Sequence, residues 1–492
     1  MLDANSSRRA HTLQNAALIL LSIAFLPLNT FILVVSFLVA KIIPNNVERS
    51  RDHARQEHGF EPRTILVTGV GMTKGLVLAR LFYEAGHNVI GADFEPDCSL
   101  VCGRVSRSLR RFYRLQKPDT RSGASPYIQS LLEIVSKEKV NLWVSCSGVA
   151  SAVEDGMAKE VVEARTSCKA VQFDVKTTQL LHEKHSFIKH TKSIGLTVPE
   201  THEITSRATV ERILCMTRPG RKYIMKTIGV DDSVRADMTL LPKASQIETS
   251  KHIARLKISE ESPWILQEFV RGSEYCTHSL VVKGQVKAFV ACPSAELLMH
   301  YKALPFDASL SQAMLNFTKK YASSSGPAFT GHLSFDFMVE KEDALDPNNI
   351  TLYPIECNPR AHTAVALFNN TTTMVDGYLS ALDVSNGTSE TPIARPLKND
   401  KYYWVGHDLV NLIVLPTISF LKLELSYSIL LQNYVDFIGL LLTWKDGTYE
   451  IWDPLPWWWL YHIYWPMRFL SCVINGKKWS RLNVSTTKMF DC

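Results

Sequence analysis

Phe335-Asp336-Phe337 and, a short way on, Ile355-Glu356-Cys357-Asn358-Pro359-Arg360 decide how this chain is read. Strand-forming residues surround both pieces, and the polar stretch Lys341 to Asn349 between them reads as a hairpin connection. Side chains alternate along a strand, so Glu356 and Asn358 share a face and Arg360 continues the row. Asp336 on the partner strand can join them. Two carboxylates and an amide oxygen suit Mg²⁺, a hard cation that shares its shell with phosphates. Arg360 offers a planar fork to a transferring phosphoryl group or its acceptor. A surface hairpin with scattered charges is the competing reading, but it leaves the acid-x-Asn-Pro-Arg run after a second strand acid unexplained.

Upstream, Tyr223-Ile224-Met225-Lys226 is a short apolar strand ending in a point charge suited to nucleotide phosphates. Pro263 to Val270 is a second apolar run, closed by Arg271-Gly272-Ser273-Glu274. Leu180 to Ile188 has helical character and contains Lys184, and Gly195 to Pro199 reads as a turn into a strand. Any one of these lysines alone reads most simply as a solvated surface charge. Taken together and in order, the set from Lys184 to Arg360 resembles the ATP-grasp ligases. That resemblance implies ATP binding by Lys184 and Lys226 at the phosphates, by Gln267, Glu268 and Val270 at the adenine hinge, and by Glu274 at the ribose. It also implies a metal, Mg²⁺ or Mn²⁺, on Asp336, Glu356 and Asn358, with Arg360 and His362 as the catalytic pair. His278 is a further candidate for the base or for gripping the acceptor. One departure concerns the lid. Many members carry a glycine-rich loop after the second lysine, whereas only Gly229 follows Lys226 here, among Asp231, Asp232, Arg235 and Asp237.

Thr64 to Thr68 reads as a buried strand, Gly69 to Gly75 opens a helix ending near Gly86, and Val89 to Asp93 is a second strand. This is a Rossmann-like β-α-β unit with an acid closing its second strand. The glycine pattern G-x-G-x-x-x-G is a weak match to a dinucleotide fingerprint, so a nicotinamide enzyme is a rival reading. The resemblance instead implies a unit that contributes to the acceptor pocket. Helix Tyr127 to Ser136 and strand Val140 to Ser145 continue a parallel alternation, with the loop Cys146 to Ser151 at the ligand end.

Composition describes a large globular chain: 492 residues, 46% hydrophobic and 21% charged. The net charge of +6 is dispersed and gives no case for nucleic acid. The basic cluster from Arg104 to Arg114 reads as one element's face. Ten cysteines contain no C-x-x-C pair and are expected to be reduced and mostly buried.

Ala16 to Ala40 runs without a charge, which exceeds the roughly 20 residues that cross a bilayer as a helix. A signal peptide and, because of Pro27 and Asn29, a helical hairpin dipping into one leaflet are the alternatives. The heavier basic flank, Lys41, Arg49, Arg51 and Arg55 against Arg8 and Arg9, predicts a single pass with the catalytic body cytosolic. Lying far in sequence from every catalytic element, the segment is expected to serve location only, so that a chain starting at Lys41 stays soluble and active. Charges interrupt the apolar run from Asp408 to Trp444, which argues against a second crossing. The aromatic cluster Trp452 to His462 reads as packing, with interfacial contact as the alternative.

The expected fold is α/β, a Rossmann-like unit followed by two α+β lobes and preceded by a transmembrane helix. The boundaries are a tail 1–15, the transmembrane helix 16–40, a linker 41–62, the Rossmann-like domain 63–175, the ATP-grasp domain 176–395 and an aromatic-rich extension 396–492. The segments FLPLNTFILVVSF, ILVTGVGMTKGLVLARLFYEAGHNVI, YIMKTIGVDD, PWILQEFVRGSEYCTHS, YPIECNPRAHTA and DPLP further resemble mycosporine-glycine synthases and fungal secondary-metabolite relatives such as the fumisoquin-cluster enzyme. What this implies is ATP-dependent C–N bond formation between a small acidic or enolic acceptor and an amino acid or other amine, in fungal-type secondary metabolism such as an alkaloid pathway. A membrane-anchored ATP-binding protein without turnover is the reading from another class.

Overall fold

Short β-branched and apolar runs build the first sheet. Strands β1 (Thr64–Thr68), β2 (Asn88–Phe94), β3 (Arg111–Leu115), β4 (Leu142–Val144) and β5 (Lys169–Val171) run parallel in the order β3-β2-β1-β4-β5. The order reverses between β1 and β4, so the crevice at their carboxyl ends is the ligand end of the sheet. The computed structural model describes residues 6–42, 46–96, 99–119, 122–146, 148, 151–218, 220–227, 237–294, 299–340, 350–383 and 392–492. The expected loop containing Asp231, Asp232 and Arg235 and the connection 341–349 lie outside the described residues.

A small antiparallel sheet follows, β6 (Thr201–Ile204), β7 (Tyr223–Thr227) and β8 (Trp264–Glu268), in the order β6-β8-β7. Helices Arg207–Met216 and Gln246–Ile253 cover it through a core that includes Val210, Leu214, Met225 and Leu266. Next come β9 (Gly272–Val282) and β10 (Gln285–Pro293), the two-residue β11 (Tyr301–Lys302), then β12 (Gly331–Glu340) and β13 (Tyr353–Asn358). Four of these form an antiparallel sheet in the order β10-β9-β12-β13.

Parity divides that sheet. Leu333, Phe335, Phe337 and Val339 enter a dry core with Phe317 and Tyr321 of helix Ser309–Ser324. The alternate positions His332, Ser334 and Asp336 face the other way. On that second side Cys276 and Leu280 join the core containing Val67, Val70 and Leu78 of the first sheet. The polar side of the sheet is thereby turned toward the ligand end of β1 and β4.

The helix expected over Leu180 to Ile188 is instead two helices, Val175–His182 and Lys184–Ser193. Glu183 separates them, its carboxylate accepting from the amides of His185 (3.0 Å) and Ser186 (3.1 Å). Cap chemistry overrides a continuous apolar spacing there. Lys184 becomes the first residue of the second helix. The basic cluster is tied down by ion pairs, Arg104 to Glu95 (2.8 Å), Arg107 to Glu48 (3.0 Å) and Arg111 to Glu138 (2.8 Å). Seven of the nine described cysteines are buried, and all nine are free.

Arg8–Ile42 is one 35-residue helix that continues through Pro27, so the leaflet hairpin does not form. It is long and apolar enough to cross a membrane, a test that signal sequences and core helices also meet. One stripe of it is polar at steps of seven. Asn15 accepts from Trp479 Nε1 (2.8 Å). Ser22 donates to the Tyr461 carbonyl (2.9 Å) and meets His462 Nδ1 (3.0 Å). Asn29 Nδ2 meets His462 Nε2 (2.9 Å), and Ser36 meets the Tyr449 hydroxyl (2.7 Å). A His462 bearing its proton on Nδ1 satisfies both neighbours. One residue set earlier, Arg8 lies against Gly476, where a Cβ would collide with the guanidinium. The helix is thus a docked part of the fold, and the expectation that it serves location only is corrected. Removing it would strand Trp479 and His462 without their partners.

The C-terminal region is woven into the body as well. Strand β14 (Lys401–Tyr403) pairs with β11 and with β15 (Lys445–Asp446), and β16 (Trp479–Asn483) pairs with β17 (Lys488–Asp491). Buried Asp453 accepts from Arg80 Nε (2.9 Å) and from Ser106 (2.6 Å), which locks the aromatic cluster to the first sheet's helix. Packing, the favoured reading of that cluster, describes Trp457 and Leu460, both buried.

Candidate active site

Strand register assembles the site. Asp336 lies opposite Cys276 on β9 and opposite Glu356 on β13, so three strands contribute one row. Directly opposed residues share a face. Asn358 Nδ2 donates to Asp336 Oδ2 (3.1 Å), and Arg360 Nη2 donates to Asn358 Oδ1 (2.9 Å). Lys184 reaches Glu356 from the start of its helix, Nζ to Oε2 at 3.4 Å. Lys226, near the end of β7, donates to Gln267 Oε1 (2.7 Å) on β8. Glu274 lies two residues before Cys276 on the same strand face and accepts from the Ser294 hydroxyl (2.7 Å).

The electrostatics show where like charges crowd. Burial, with Glu356 and Glu274 adding to it, raises the Asp336 carboxyl to about 8. Burial lowers Lys226 to about 8, and nearby Lys184 adds to the effect. Like charges crowded together are relieved by counter-charges from a ligand. A triphosphate would answer the lysines and a divalent cation the carboxylates. Among the described residues no three His, Cys, Asp or Glu side chains gather as a metal set. The donors here are two carboxylates and an amide oxygen, which fit a hard, phosphate-sharing cation. Arg360 Nε is buried and has no hydrogen-bond partner among the described residues, so the guanidinium keeps capacity for a substrate anion.

The hinge residues are placed less simply. Gln267 points its side chain at Lys226 and Thr201. Glu268 pairs with Arg221 (3.0 Å), and its amide donates to the Glu200 carbonyl (2.8 Å). The Phe269 amide is likewise taken by Lys222 (2.8 Å). Val270, buried, is the first residue beyond that ladder. Asp237, at the far end of the expected lid, accepts from the Thr239 amide (3.0 Å).

Of the two roles open to His362, base or grip on the acceptor, its surroundings favour the grip. Its Nδ1 accepts from the Ala364 amide (3.2 Å), which leaves the proton on Nε2. Burial, Arg360 and Lys74 depress its pKa to about 3, so it stays neutral. His278 Nδ1 accepts from the His362 amide (3.3 Å), and its buried Nε2 has no partner among the described residues.

Sequence reasoning missed Lys74. This residue sits in the first turn of helix Thr73–Glu84, buried, with Nζ donating to the Ala361 carbonyl (3.1 Å) between Arg360 and His362. Burial, reinforced by Arg360, lowers its pKa to about 7. A signal was present: a lysine opposes the helix dipole in a first turn, where acids are favoured.

The acid closing β2 does not wait for a ribose. Asp93 accepts from the amides of Gly71 (2.6 Å) and Phe94 (2.7 Å). The Thr73 amide at the helix start donates to the Ser485 carbonyl (2.9 Å), and Trp404 Nε1 donates to the Thr73 hydroxyl (3.0 Å). The position where a dinucleotide enzyme takes its pyrophosphate is filled by the chain's own C-terminal residues.

No family model matches the chain, and no curated protein matches it. Solved structures similar to it include an N5-carboxyaminoimidazole synthetase from Staphylococcus aureus complexed with ADP, at 15% identity over 67% of this chain and 79% of that chain, TM-score 0.47. An L-amino acid ligase from Bacillus licheniformis is similar at 12% identity over 71% and 81%, TM-score 0.47. An N5-carboxyaminoimidazole ribonucleotide synthetase from Thermus thermophilus is similar at 15% identity over 69% and 81%, TM-score 0.47. At such identities and scores, the likeness assigns no reaction to this chain.

Proposed function

We propose that the chain is an ATP-grasp ligase that phosphorylates a small acidic or enolic acceptor and joins it to an amino acid or another amine, releasing ADP and phosphate. The observation that supports it is the convergence of two lysines, two carboxylates, an amide and an arginine, drawn from positions 184 to 360, at one place.

Lys184 and Lys226 carry the charge that a nucleotide's outer phosphates need, and Gln267 holds Lys226 in place. Mg²⁺ held by Asp336, Glu356 and Asn358 would supply charge neutralisation at the outer phosphates. Arg360 orients the acceptor oxygen or stabilises the moving phosphoryl group. His362 Nε2–H and His278 donate to an anionic acceptor. Lys74, whose ammonium is weakened by burial, is the group suited to take the proton from the incoming amine. The amine then attacks the activated carbon, the new C–N bond forms, and the C–O bond to phosphate breaks. An anionic acceptor suits Arg360 Nε and His278 Nε2, which are buried and have no hydrogen-bond partner among the described residues.

Incubation with Mg·ATP, a panel of small acids and enols, and a panel of amino acids tests the proposal. ADP and phosphate are expected in step with a coupled product, and hydroxylamine in place of the amine should trap an acyl phosphate as a hydroxamate. AMP as the stoichiometric product would overturn it.

A further inference from the structure

The docked helix and the C-terminal hairpin leave a large apolar surface facing outward. On helix Arg8–Ile42 the side opposite the polar stripe exposes Leu20 at 64% and Phe31 at 65%. Helices Val405–Leu421 and Tyr427–Thr443 form the hairpin, whose tip exposes Leu421 at 74% and Leu423 at 91%. An apolar crevice of about 1610 Å³ runs between helix and hairpin, lined by Phe25, Ile413 and Phe437.

We propose that this face lies in the plane of a lipid bilayer, embedded in one leaflet and not crossing it. Three observations select lipid in this orientation. First, both ends of the N-terminal helix are held by the body. Asn15 is bonded to Trp479, and β16 continues to Ser485, which meets the first sheet's helix at Thr73. Toward the other end Ser36 meets the Tyr449 hydroxyl (2.7 Å). A helix of about 50 Å docked at both ends on one body cannot deliver that body to one side and its own start to the other.

Second, helix Tyr427–Thr443 carries a polar strip with an acid along its apolar length. Leu431, Val435, Ile438 and Leu442, at steps of four, three and four, form one exposed apolar strip. Ser428, Gln432 and Asp436 form a polar strip beside it, with Gln432 donating to Asp436 (2.8 Å). A crossing helix would bury that acid in hydrocarbon, whereas an interfacial one keeps it at the headgroups. Third, the rim is basic. Arg9, Lys41 and Lys422 are exposed, against Glu424 and Asp436, a balance that suits anionic headgroups. The crevice then receives acyl chains of the same leaflet.

Flotation of the full-length protein with phosphatidylcholine vesicles containing one-fifth phosphatidylserine tests the surface. The wild type is expected to float, and Leu423→Asp combined with Leu442→Asp to lose at least tenfold in partitioning with an unchanged cooperative melt. An N-terminal epitope tag on sealed vesicles with the body outside reports orientation without any variant. Protease should remove the tag. Protection of the tag would show a crossing helix, and failure of the wild type to float would show a surface reserved for protein; either result overturns the proposal.

Discussion

Two rows of polar side chains organise this molecule, one on a sheet and one on a helix, and they are finished differently. The sheet row, Asp336, Glu356, Asn358 and Arg360, is charged and crowded, with a carboxyl raised to about 8 and a guanidinium nitrogen lacking a partner among the described residues. The helix row, Asn15, Ser22, Asn29 and Ser36, is neutral, and each member has its hydrogen bond. Polar groups left in electrostatic tension mark where a ligand completes the structure; polar groups fully satisfied mark where the chain completes itself.

The largest expected effect tests the tension in the sheet row. Glu356→Gln keeps the shape and removes a charge, so turnover should fall by about 10²–10³ while the melt is unchanged. Activity within a few-fold of wild type would remove Glu356 from the site. Lys226→Ala deletes a ground-state phosphate contact and should weaken ATP binding by roughly 10- to 100-fold, read by titration calorimetry. An unaltered affinity would place the phosphates elsewhere.

The helix row should respond in stability instead. Asn29→Leu leaves His462 Nε2 unpaired and is expected to cost about 1–3 kcal/mol in denaturant melts with normal turnover. If turnover fell and stability held, the contrast between the rows would collapse. Lys74→Met sharpens it from the side facing the sheet row. Burial sets the folded pKa of Lys74 to about 7, below its ordinary 10.5. Between those values the unfolded chain binds more protons, so wild-type stability should rise with pH, by up to about 1.4 kcal/mol per pH unit. The Met variant should lack that rise; parallel curves would show that another group titrates.

The sheet row was legible because its members lie close in sequence, on adjacent strands whose period of two is fixed by backbone geometry. Tyr223–Thr227 and Trp264–Glu268 were legible for the same reason, as short apolar runs bounded by polar residues. Lys74 was not, because the Ala361 carbonyl it meets is 287 positions away. The division at Glu183 escaped because a cap competes with periodicity only when its two amide partners are seen. The helix row was hidden in plain composition. Against a charge-free background, four small polar residues at steps of seven carry little weight until Trp479, His462 and Tyr449 are brought alongside.

That separation has a consequence for how the protein is made. Asn15 leaves the ribosome 464 residues before Trp479, and Ser22 leaves 440 before His462. The parts of the sheet-row site, between positions 184 and 360, can assemble as units while synthesis continues, but the helix cannot dock until Tyr449, His462 and Trp479 have emerged. During that interval its polar stripe and its apolar face are both uncovered. Helix Arg8–Ile42 therefore seats late, and a nascent chain released before Tyr449 would carry its polar stripe without Tyr449, His462 and Trp479.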